Sequence, residues 1–115
     1  MLGADQTVII VNRWYDGTDD ADQERAFQLD GVSVFCDCSA SASNGGANAT
    51  DLVRIRIPFR KDYLPEDQWK QTHPTDKWTL QLEDKVIIGG QSRTVLRIHD
   101  NTVRRFQPHW YVEVR

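Results

Sequence analysis

Apolar residues recur at every second position along most of this chain, the signature of strands with one buried face. The first run, Thr7 to Tyr15, is apolar on both sides at Val8-Ile9-Ile10-Val11 and continues into Trp14 and Tyr15, which predicts an interior strand. Phe27 and Leu29 resume the alternation, and Gly31 marks a bulge. Val32, Val34, Cys36 and Cys38 then share one face, with Phe35 on the other. The clearest strand is Leu52 to Phe59: Val53, Ile55, Ile57 and Phe59 point one way, Arg54 and Arg56 the other, and Pro58 ends the regular pairing. Further on, Trp78, Leu80 and Leu82 alternate with Thr79, Gln81 and Glu83. Val86-Ile87-Ile88 runs into Gly89-Gly90, a hairpin turn. Thr94, Leu96 and Ile98 alternate with Val95, Arg97 and His99, and Trp110, Val112 and Val114 with His109, Tyr111 and Glu113.

The breaks are of different kinds. Asp16-Gly17-Thr18-Asp19-Asp20-Ala21-Asp22 is too polar to pack and predicts an exposed loop, so that the first two strands form a hairpin with a long acidic tip spanning 16–24. Residues 39–50 are almost all small, with two adjacent glycines, and predict a flexible loop or arm. Pro65-Glu66-Asp67-Gln68-Trp69-Lys70 predicts one or two helical turns, because proline and acids suit a first turn, and His73-Pro74 stops them. About six antiparallel strands with at most one short helix predict an all-β fold: a small single-domain β-barrel or compact sandwich over residues 1–115. Closure, which removes unpaired edges, favours the barrel.

Composition agrees with a globular chain. The 115 residues are 39% hydrophobic and 27% charged, with four Trp, three Tyr and four Phe, too aromatic for a disordered segment. No apolar run approaches the ~20 residues of a membrane span, Met1 to Asp5 lacks a signal-peptide pattern, and two cysteines cannot staple a miniprotein. A soluble intracellular domain is expected, and Asn48-Ala49-Thr50 is then a chance match to a glycosylation acceptor. Charge is uneven: residues 1–50 hold eight acids and two bases, residues 51–115 twelve bases and nine acids. Opposite-signed surfaces favour head-to-tail self-association as readily as a foreign partner.

Catalytic chemistry finds little support. Ser39, Ser41 and Ser43 lack an elbow motif, and no pair of carboxylates is set for acid–base work. Cys36-x-Cys38 supplies two thiols where a structural zinc needs four ligands, and His73, His99 and His109 lack paired spacing. Core packing is the expected role of the two cysteines, and a disulfide between residues two apart is disfavoured by geometry. No cofactor is expected. Asp16, Asp19, Asp20, Asp22 and Glu24 crowd one tip, a solvated face or a weak divalent site. Arg54, Arg56, Arg60, Lys61, Arg104 and Arg105 form basic segments. With Trp69, Trp78, Phe106 and Trp110 as stacking platforms they would suit single-stranded nucleic acid, although the acidic balance, net charge −3, has the wrong sign. The candidate interaction residues are therefore Asp16, Asp19, Asp20 and Asp22 of the tip and these basic residues.

Several segments, in order, resemble a family of small tailed-phage and prophage proteins from the head and head–tail connection gene region. They are Met1-Leu2-Gly3-Ala4-Asp5-Gln6-Thr7-Val8, Phe35-Cys36-Asp37, the small-residue tract, Val53-Arg54-Ile55-Arg56-Ile57-Pro58, Leu82-Glu83-Asp84-Lys85-Val86-Ile87-Ile88-Gly89, and Asp100-Asn101 through Pro108-His109-Trp110. Glu83-Asp84-Lys85 departs from the Gly-Asp turn of that pattern. The resemblance implies no enzyme but a virion component or assembly factor, a head–tail joining protein found in the bacterial host cytoplasm and then in the virion. Its expected partners are other head and tail proteins or further copies of itself in a ring or weak oligomer, with DNA contact left open but not predicted, and no membrane.

Overall fold

The computed structural model describes residues 6–18, 20–36, 52–103 and 105–115. The expected loop at 39–50, Asp19, Cys38 and Arg104 lie outside the described residues. Six strands, β1 (Gln6–Asp16), β2 (Ala21–Cys36), β3 (Val53–Pro58), β4 (Lys85–Ile88), β5 (Gln91–Asn101) and β6 (His109–Val114), and one helix, α1 (Glu66–Thr72), follow in chain order, α1 between β3 and β4. Every strand pairing is antiparallel, and the order β1-β2-β3-β6-β5-β4 closes on itself as a barrel. The predicted all-β barrel with a single short helix is thus the observed architecture.

Alternation decides which side chains fill it. On β3, Val53, Ile55 and Ile57 are buried while Arg54 and Arg56 face out, and on β6 Trp110, Val112 and Val114 are buried. With Val8, Ile10, Leu29, Val32, Trp78, Leu80, Val86 and Val95 they form one core cluster. Each fully buried aliphatic side chain contributes about 1.5–3 kcal/mol from surface withdrawn from water. Tyr63, Trp78 and Trp110 pack at ring separations of 4.4–5.2 Å in this core, so two of the four proposed stacking platforms are interior residues. Trp69 is also fully buried, and only Phe106 is exposed.

Two bulges shape the walls. Gly31, at φ 71°, lies where the β1–β2 register shifts, as its placement in the sequence predicts. A second shift between Val95 and Arg97 turns Leu96 outward to 45% exposure, so β5 buries Val95 in its place, while Ile98 still packs against the core. Gly89 and Gly90, both at positive φ, make the β4–β5 turn. Helix α1 starts after Pro65, with Glu66 and Asp67 in its first turn, and ends where His73 adopts a left-handed conformation.

The stretch Trp78 to Glu83 is not the strand its alternation predicts. Trp78, Thr79, Leu80 and Gln81 are all buried and Leu82 is exposed. The backbone bonds here go to irregular partners: Trp78 N donates to the Asp62 carbonyl, and Leu64 N donates to the Trp78 carbonyl. The side-chain amide of Asn12 takes both polar groups of Thr79: Nδ2 donates to its carbonyl at 2.7 Å and Oδ1 accepts from its N–H at 3.1 Å. One asparagine does the work of a neighbouring strand.

Candidate interaction surface

The hairpin of β1 and β2 runs past the barrel as a two-stranded ribbon. β1 pairs with β4 only over Ile9–Val11, and β2 with β3 only over Ser33–Cys36, whereas β1 and β2 stay paired out to Asp16 and Ala21. The acidic loop expected at 16–22 is therefore a short turn, with Asp16 and Asp22 inside the strands. Period-two pairing tolerates polar residues on a ribbon whose outer face is wet. The inner face of the ribbon rests on α1. Trp14 stacks on His73 with ring centroids 4.3 Å apart, meets Trp69 edge-on at 5.4 Å, and carries the Arg25 guanidinium 5.2 Å from its ring. Arg25 also donates to the His73 carbonyl. Burial, then the nearby Arg25 charge, lowers the His73 pKa from its ordinary value.

Below this contact lies a polar plug. Asp84 is buried; its Oδ2 accepts from Asn12 Nδ2 at 3.0 Å and Gln81 Nε2 at 2.7 Å, and its Oδ1 from the Arg13 N–H at 3.3 Å. Burial raises the Asp84 pKa above the usual carboxylate value, against these hydrogen bonds, which lower it. A polar cleft of about 510 Å³ between the ribbon, α1 and the 81–84 segment is lined by Arg13, Tyr15, Asp22, Lys70 and His73 among others. It brings charges of both signs together without a free nucleophile–base pair. Among the described residues no three His, Cys, Asp or Glu side chains are grouped to hold a metal ion.

At the ribbon end the predicted acids are exposed or half-buried. Asp16 accepts from the Thr18 N–H at 2.9 Å, Asp20 sits at φ 51° and accepts from the Tyr15 hydroxyl, and Asp22 lies directly opposite Tyr15 across the ribbon. Tyr15 is 61% exposed, and its hydrogen bond to Asp20, with smaller effects of burial and the Asp22 charge, raises its pKa. The tip is an aromatic ring in an acidic collar. Tyr15 was not among the residues that its sequence context marks for interaction, since next to Trp14 it reads as core.

The basic residues separate into different roles. Arg54 and Arg56 face outward on β3, in register with Glu113 and Tyr111 of β6 and with Phe35 and Ser33 of β2. Arg60 is instead a clamp: it holds Asp62 through Nε and Nη2 at 3.0 and 2.9 Å and reaches the Asp30 carbonyl at 3.4 Å. It is half-buried, and short-range pairing has taken the charge that its sequence position suggested for a partner. Asp62 also accepts from Trp78 Nε1 at 2.7 Å, and its carboxyl is held below the ordinary value, first by Arg60. Lys61 and Arg105 are exposed, whereas Arg93 is buried. Cys36 is exposed at the last residue of β2 and is disulfide-bonded, which corrects two expectations for it, a core-packed thiol and the absence of a disulfide. Its face is the inward one, but the strand ends at the rim of the barrel.

Beside Arg56 a second hollow opens, about 590 Å³, lined by Ser33, Arg56, Pro58, Phe59, Gln107, Pro108 and His109. Phe59, expected in the core, is 52% exposed and stacks at 5.8 Å on Trp110, because Pro58 ends the strand and the chain leaves the sheet. His109 is buried and doubly satisfied: Nδ1 donates to the Gln107 carbonyl at 2.8 Å and Nε2 accepts from Asn101 Nδ2 at 3.3 Å. Phe106 and Val103, 81% and 93% exposed, stand on the neighbouring β5–β6 loop. The hollow is an apolar groove with a cationic edge, unlike the ribbon tip in every respect.

Comparison with known proteins yields no significant match among curated proteins or among solved structures. A family model does match, over residues 3–115, nearly the full sequence. This chain, with its filled barrel and its projecting acidic ribbon, belongs to a family of unknown function, DUF6751.

Proposed function

We propose that this protein is a non-enzymatic structural or assembly component of a tailed-phage particle, acting at the head–tail joint through protein–protein contacts. One observation carries the reading: the barrel is filled, and its exposed surface offers features on which other proteins dock. The barrel interior is a packed apolar core, and the exposed features are an acidic aromatic tip and an apolar groove edged by Arg56, on separate parts of the surface. Such features suit docking to other proteins. The segments that resemble phage head and head–tail proteins supply the setting. Mass spectrometry of purified virions from the host strain tests it: the protein is expected as a stoichiometric component, and its absence from intact particles overturns the structural role.

A second reading, a small β-barrel module for single-stranded nucleic acid, is favoured by Arg54, Arg56, Phe35, Tyr111 and His99 sharing the outer face of β2, β3, β6 and β5. It requires retardation of a single-stranded oligonucleotide that weakens steeply with salt. No retardation at low salt closes it.

A further inference from the structure

We propose that the ribbon tip of one molecule docks in the Arg56–Phe59 groove of a second copy, head to tail. The proposal rests on the protein-contact reading above and names the partner: another copy of this chain. The two surfaces are complementary in kind. The tip presents the exposed Tyr15 ring with Asp20 bonded to its hydroxyl and Asp22 directly opposite it on the neighbouring strand. The groove presents Pro58, Phe59 and Pro108 as walls for a ring and Arg56 as a partner for a carboxylate, and Lys61 and Arg105 stand close by in sequence on its two sides. At about 590 Å³ it has ample room for a tyrosine side chain with a neighbouring carboxylate. An aromatic anchor seated in an apolar pocket, with a charge pair at its edge, is the arrangement that concentrates binding energy at protein interfaces.

Geometry makes the contact intermolecular. Ser33, which lines the groove, lies on the same strand as Ala21 at the tip, and the twelve residue steps from one to the other span roughly 40 Å of extended chain. A paired strand cannot double back over that length, so a molecule cannot reach its own groove. Because tip and groove are different surfaces, each docking event leaves one of each unused at the ends, and the contact propagates until a ring closes or a filament grows.

Sedimentation velocity and light scattering over a wide concentration range test the proposal. The full chain is expected to self-associate in low salt and to dissociate as salt rises, since the charge pair is screened. Tyr15→Ser or Asp22→Lys at the tip, and Arg56→Glu in the groove, are each expected to weaken association at least ~tenfold. All three residues are exposed, so circular dichroism and melting temperature are expected to match the parent. The decisive arm mixes two variants. Tyr15→Ser keeps its groove and Arg56→Glu keeps its tip, so the mixture is expected to form a heterodimer that grows no further. A wild-type chain that stays monomeric at low salt overturns the proposal, as does a mixture that stays monomeric, or a tip variant that associates as well as the parent. Binding of single-stranded DNA that depends on Arg56, with no self-association, also overturns it. If the chain is monomeric yet present in virions, only self-docking falls; absence from virions with intact self-association removes only the phage role.

Discussion

Replacing Asn12 with alanine removes the side chain that substitutes for a strand. Asn12 is 1% exposed and makes three hydrogen bonds: two to the backbone of Thr79 and one to Asp84 Oδ2. In Asn12→Ala the Thr79 N–H and carbonyl lose these partners inside the protein, while Asp84 keeps Gln81 and the Arg13 N–H. A buried polar group left unsatisfied costs about 1–3 kcal/mol, so two of them give a loss of roughly 2–6 kcal/mol against a total stability on the order of 5–15 kcal/mol. The melting temperature is expected to fall by roughly 8–20 °C. Urea denaturation reads the loss as a lower midpoint with an unchanged slope. Asn12→Asp sharpens the argument. Its carboxylate still accepts from the Thr79 N–H but sets an acceptor against the Thr79 carbonyl and the Asp84 carboxylate. The folded state then holds a proton between the two acids more tightly than the unfolded chain does, so this variant gains stability as pH falls towards 4, where Asn12→Ala gains much less. A loss below about 0.5 kcal/mol in Asn12→Ala, or the same pH profile for both variants, would refute the reasoning.

Two further changes probe other links. Gly90 sits at φ +83° with open space around its Cα, so Gly90→Ala meets no clash and registers only the left-handed backbone penalty, about 1–2 kcal/mol by thermal denaturation; an unchanged melting temperature would show that the turn can adopt another conformation. The Asp62 carboxyl, held below its ordinary value of 3.8 chiefly by Arg60, contributes stability that is complete above 3.8 and is lost as pH falls through its folded value. Asp62→Asn is therefore expected to be less stable than the parent at neutral pH and to converge with it in acid; parallel acid-unfolding curves would contradict the role of this pair.

The candidate surface was legible in part. Arg54 and Arg56 follow from alternation on β3, since a residue between two buried neighbours on a strand must face out. The acids of the tip follow from their inability to pack. Tyr15 and the groove were hidden, because exposure of an aromatic depends on where the barrel stops covering the ribbon. Arg60 was misleading for a related reason: a basic residue two positions from an aspartate can spend its charge within its own loop, and only geometry shows that it does.

Local pattern alone determined the strands β1, β2, β3 and β6, the Gly89-Gly90 turn, the Gly31 bulge and the single helix, because each depends on side-chain period or on backbone freedom within a few residues. Tertiary structure alone decided the irregular course of 78–83, the outward turn of Leu96, and the burial of Asn12 and Asp84. The physical reason is that alternation reports the face a side chain takes, not the partner its backbone finds. For Thr79 that partner is an amide side chain 67 positions earlier in the chain, and no window along the sequence contains both.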